Sequence, residues 1–84
     1  MEIKTIADWF DVDAELQRQI RGVGYNPDLA KMKRNLDSMI TDLSRAEVEA
    51  RRTKNYRYIQ PQIDQINNSI QSLEHWILML MLEN

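Results

Sequence analysis

Apolar residues recur at Leu29, Met32, Leu36, Met39, Leu43, Ala46 and Ala50, then again at Ile63, Ile66, Ile70, Leu73, Ile77 and Leu80. Within each set the spacings alternate between three and four residues, which is the heptad seam of a helix that packs on another helix. Ile40 widens the first stripe beside Leu36 and Met39. The opposite face of the first stripe carries charges at helical spacing, with expected pairs Lys33–Asp37, Arg45–Glu49 and Glu47–Arg51. The second stripe is flanked instead by amides, at Gln62, Gln65, Asn67, Asn68 and Gln71.

The breaks between these stretches carry turn and cap chemistry. Gly22-Val23-Gly24 precedes Asn26-Pro27-Asp28. Asn26 suits an N-cap, Pro27 the first helical position, and Asp28 the positive end of the helix dipole. A long helix is therefore expected over 27–54, about 40 Å at 1.5 Å per residue. Asn55 can close it in the left-handed conformation, and Pro61 can open a second long helix over 61–83. Extending the first stripe past this break would demand apolar residues at Thr53, Arg57 and Gln60. The register is lost there, so two helices folded into an antiparallel hairpin are expected rather than one kinked rod.

Residues 1–25 form a looser helical segment. Thr5 and Asp8 have capping-box spacing ahead of Ile6, Trp9 and Phe10. Asp11 and Asp13 offer a second start for a helix through Leu16 and Ile20 that ends at Gly22. One or two short helices are expected, laying Trp9 and Phe10 on the hairpin. The run Ile6-Ala7-Asp8-Trp9-Phe10, with Val12 and Ile20, resembles a helix-turn-helix over a quarter of the chain. Its turn position is Asp11 rather than Gly, however, and Asp13 and Glu15 would meet DNA phosphates with like charge.

Composition sharpens the picture. For these 84 residues, with two Gly, two Pro and 43% hydrophobic residues, a single small helical domain is expected. A chain this short buries only about 60% of its unfolded surface, so a partner, a metal or disulfides are the usual reinforcements. There is no Cys and only one His, so neither thiolate nor His-rich metal sites are expected, and no cofactor. The start, Met1-Glu2-Ile3-Lys4, is not a secretory signal, and the longest apolar run, Trp76 to Leu82, is far short of the roughly 20 residues that span a bilayer. A cytoplasmic location with no membrane partner is the expectation.

Candidate chemistry is sparse, and an enzyme is not expected. Asp11 and Asp13 read as helix caps rather than metal ligands, and His75 as a structural residue near a helix C-terminus. Arg51, Arg52, Lys54, Tyr56, Arg57 and Tyr58 interleave bases with tyrosines at the hairpin tip, a composition that can grip phosphates and stack bases. The plainer reading makes this a solvated helix end with both tyrosines covering the core.

The strongest feature is the C-terminal run itself, which is apolar on every helical face and needs enclosure on more than one side. Trp76, Leu78, Met79, Met81 and Leu82, with Trp9 and Phe10, are the candidate protein-interaction residues. Either the first 25 residues or another chain should cover them, and a second copy, completing a helical bundle as a dimer, is the simplest occupant. The expected function is a non-catalytic protein–protein interaction module, such as an adaptor, inhibitor or accessory factor of phage or mobile-element type. A structural subunit of a larger particle and a nucleic-acid binder using the basic tip are the alternatives.

Overall fold

A computed structural model of the chain describes residues 1–83; the last residue of the expected domain, Asn84, lies outside them. The fold is all-helical. A 3₁₀ turn at Ile6–Asp8 leads into α1 (Trp9–Val23), followed by α2 (Pro27–Thr53) and α3 (Ile59–Glu83). α2 and α3 pack against each other as the antiparallel hairpin expected from the two seams. The molecule is elongated, 49 × 19 × 16 Å.

The α2 start follows its sequence signals. The Asn26 side chain accepts from the N–H groups of Asp28 (2.9 Å) and Leu29 (3.2 Å), and Pro27 stands at the first helical position. The α2 end falls one residue earlier than expected. Lys54, not Asn55, takes the left-handed conformation (φ 57°), and the N–H groups of Lys54 and Asn55 both donate to the Ala50 carbonyl.

α3 begins at Ile59, two residues before Pro61. Its first-turn N–H groups have no helical partners, so a proline there costs no hydrogen bond, and the early start lets Ile59 pack on the core.

The N-terminal segment departs further from expectation. No break occurs at Asp11–Asp13: α1 runs unbroken for 15 residues and ends at Gly24, whose φ of 94° suits glycine. Val12 and Leu16 are buried, with Trp9, Ile20 and Val23 packed beside them, so one apolar stripe spans the whole helix. The turn that a helix-turn-helix requires is therefore absent. Asp11 and Asp13 cap nothing; they lie within the helix.

One contiguous core results, made of Ile3, Val12, Leu16, Leu29, Leu36, Ile40, Leu43, Ile63, Ile66, Ile70, Leu73 and Ile77. Ile40 is buried while Met32 and Met39 are only half-buried, because the 3₁₀ turn and α1 cover the Ile40 side of the hairpin and leave the methionine side open. The cover reaches only as far as the groove of Ile6, Trp9, Phe10, Ile40, Ser44 and Arg45. Beyond Arg45 the hairpin continues as two helices.

Candidate functional site

The α1 cover is held by named polar contacts. Lys33 Nζ lies 2.5 Å from Asp13 of α1 and 2.6 Å from Asp37 of its own helix, and it stands 5.3 Å from the centre of the Trp9 ring. Burial works against the Lys33 charge, but the two carboxylates outweigh it and hold the ammonium above its ordinary value. At the other flank, the Ile3 N–H donates to Asn67 Oδ1 (2.7 Å) and Asn67 Nδ2 donates to the Ile3 carbonyl (2.9 Å). The Met1 ammonium donates to Glu74 at 3.1 Å. The Asp8 carboxylate accepts from the N–H groups of Lys4 and Thr5, which holds it below the usual carboxylate range. Residues 1–3 are thereby strapped along one side of α3.

That strap stops short of the C-terminal run. Ile77 is buried and Leu80 half-buried, as the seam requires, while Trp76, Leu78, Met79, Met81 and Leu82 are between 42 and 73% exposed. Of the two coverings expected for this run, the first 25 residues do not supply it. Trp9 is half-buried on Lys33, well away from it. Phe10 only borders the hairpin, at the edge of the groove with Ile40 and Ser44, and is not packed on it: it is 84% exposed beside Trp9. The α1 stripe explains why, since Trp9 and Val12 take the inward positions and Phe10, one residue from Trp9, is turned about 100° away. Tyr25, 90% exposed in the α1–α2 connection, adds an aromatic at the same end of the hairpin as the α3 terminus. Sequence reasoning passed it over, although an aromatic placed between Gly24 and Asn26 in a turn is itself a signal.

The basic tip projects at the far end. Arg51, Arg52, Lys54, Tyr56, Arg57 and Tyr58 are all exposed. The expectation that both tyrosines cover the core does not hold: both lie in the connection between α2 and α3, outside the helical stripes that form the core, and are more than half exposed. Arg52 pairs with Glu49, and the expected Arg45–Glu49 and Glu47–Arg51 pairs are not among the described ion pairs, whereas Lys33–Asp37 is.

His75 is exposed and borders a shallow groove with Asn68, Gln71, Ser72 and Trp76. Its neighbour Glu74 turns instead toward the Met1 ammonium. Among the described residues no three His, Cys, Asp or Glu side chains are grouped to hold a metal ion. None of their helices is long and apolar enough to cross a membrane.

The fold and this surface define a class: a three-helix protein whose hairpin is covered on one side and whose last two turns are left apolar and open. Compared with protein-family models, curated proteins and solved structures, the chain matches none of them significantly.

Proposed function

We propose that the protein is a non-catalytic protein–protein interaction module that docks through the C-terminal end of α3. The observation carrying this reading is the exposure of Trp76, Leu78, Met79, Met81 and Leu82 together on two helical turns. Each large apolar side chain left in water forfeits about 1.5 to 3 kcal/mol of burial free energy, so a partner that encloses them gains it. Trp76 is the aromatic anchor of the site, and the unbranched Met79 and Met81 adapt to the shape of what they meet. The roles open to such a surface are those of an adaptor, an inhibitor or a phage-type accessory factor in the cytoplasm. A subunit of a larger particle would use the same residues in a repeated contact.

Replacing Leu78 and Met81 with Glu tests the site. Both side chains are exposed, so helicity by circular dichroism is expected to persist while association, read as mass in solution, is lost. Unchanged association in a folded variant would place the site elsewhere.

A second reading has one observation in its favour. Tyr56 and Tyr58 are exposed among four basic residues, which is the arrangement single-stranded nucleic acid needs for stacking and phosphate contact. The net charge of −2 and the nearby Glu47 and Glu49 weigh against it. Tight, salt-sensitive binding of single-stranded DNA, abolished by changing Arg51, Arg52, Lys54 and Arg57 to Gln, would promote it.

A further inference from the structure

Resting on the docking reading above, we infer that the occupant of the α3 terminus is a second copy of this chain, paired antiparallel through α3 about a two-fold axis at Met79. The apolar run Trp76–Leu82 has Met79 at its centre. Antiparallel pairing about that residue therefore overlaps the whole run with itself: Met79 meets Met79, and Trp76 falls level with Leu82 of the other copy. Shifting the register toward the α3 start would bring the exposed Gln71 and Ser72 against apolar side chains instead. Such self-complementarity is what a closed two-fold interface demands.

Charge selects the same arrangement. Residues 61–84 contain three acids and no Lys or Arg. Glu74 is engaged by the Met1 ammonium, which leaves Glu83 as the acidic residue at the end of the run. Parallel pairing would set Glu83 against Glu83. Antiparallel pairing about Met79 sets Glu83 level with His75, four positions before the centre, and keeps the two Glu83 side chains apart. Leu78, Met79 and Leu82 point away from the buried stripe and face the other copy, while Trp76 and Met81 flank the contact on either side, so the interface stays below the roughly 1,200 Å² of a standard specific one. A weak, concentration-dependent dimer is the expectation, rather than an obligate one.

The absence of cysteine makes the register directly readable. Met79→Cys should form a covalent dimer under mild oxidation. His75→Cys alone should not, because two residues 75 would lie about 12 Å apart along the axis, beyond the roughly 7 Å reach of a disulfide. A mixture of His75→Cys and Glu83→Cys chains should yield the mixed dimer. Self-linking of His75→Cys without that mixed product would overturn the antiparallel register. A wild-type chain that stays monomeric at several hundred micromolar would overturn the second copy as occupant, while leaving the docking reading intact for a different protein. A wild-type dimer that survives the Leu78→Glu/Met81→Glu change would sink the docking reading itself.

Discussion

From Ile63 to Leu73, α3 turns Asp64, Gln65, Asn68, Gln71 and Ser72 to solvent; from Trp76 to Leu82 it turns out Trp76, Leu78, Met79, Met81 and Leu82. The buried seam is the same in both halves, Ile63, Ile66, Ile70 and Leu73 continuing into Ile77. Water satisfies the amides of the first half, so that half needs nothing beyond α2 and the strap at Ile3. The second half has the same intramolecular packing and still leaves apolar surface in water. The difference separates two instructions carried by one helix: the inward stripe specifies the hairpin, and the outward face specifies whether the hairpin is complete.

The most severe way to break this comparison is to truncate one apolar residue from each face. Leu73→Ala removes a buried side chain and should destabilise the fold by about 2 to 5 kcal/mol. Leu78→Ala, at an exposed position, should cost about 0.5 kcal/mol or less at concentrations where the chain is monomeric. Urea unfolding of both variants decides it. Equal losses would mean that the outer face belongs to the core after all.

A smaller effect distinguishes two neighbouring amides of the first half. Asn67 brackets both backbone groups of the buried Ile3, whereas Asn68 is exposed. Asn67→Ala should cost about 1 to 3 kcal/mol, because it strands two peptide groups beside α3. Asn68→Ala should fall within about 0.5 kcal/mol of wild type. Amide hydrogen exchange at Ile3 should accelerate only in the first variant.

These contrasts also show what a sequence can and cannot disclose. The hairpin was legible because its signals are local and periodic: the Asn26-Pro27 start, the Lys54-Asn55 end and the three-four seams lie within a few residues of what they control. The exposed terminus was legible for the same reason, since an all-round apolar run stands out in any register. Ile3 was not, because a single isoleucine among Glu2, Lys4 and Thr5 has no period, and its partner Asn67 is 64 residues away. Asp13 was misplaced for a related reason. An acid near a helix start resembles a cap, and only the folding of α1 onto α2 brings it to Lys33. Phe10 was misplaced because two adjacent aromatics cannot share one helical face, and the sequence gives little to rank them.

Lys33 offers a test of the cover itself. Its ammonium is held above the ordinary value of 10.5, so its contribution to stability is complete below that pH and is lost as pH rises through the folded value. Lys33→Met should cost about 1 kcal/mol near neutrality, through the stranded Asp13 carboxylate and the lost contact with Trp9. The gap between variant and wild type should hold steady up to about pH 10.5 and narrow only above it. Thermal melts of both proteins from pH 7 to 11 measure it, and a gap that does not vary with pH would show that α1 is held by its apolar stripe alone.

The smallest expected effect concerns Phe10, the one large aromatic on the cover that the core does not take. It lies beside Ile40 and Ser44, at the opposite end of α1 from the α3 terminus. Phe10→Gln should therefore change stability by no more than about 0.5 kcal/mol. It should also leave the mass in solution unchanged at concentrations where the wild type associates, because the self-complementary run is confined to α3. A single exposed aromatic is ordinary on a protein surface, whereas five clustered apolar side chains are not. If Phe10→Gln weakened association as much as Leu78→Glu/Met81→Glu, the docking surface would have to extend along α1. The division of α3 into a finished and an unfinished half would then describe only part of the interface.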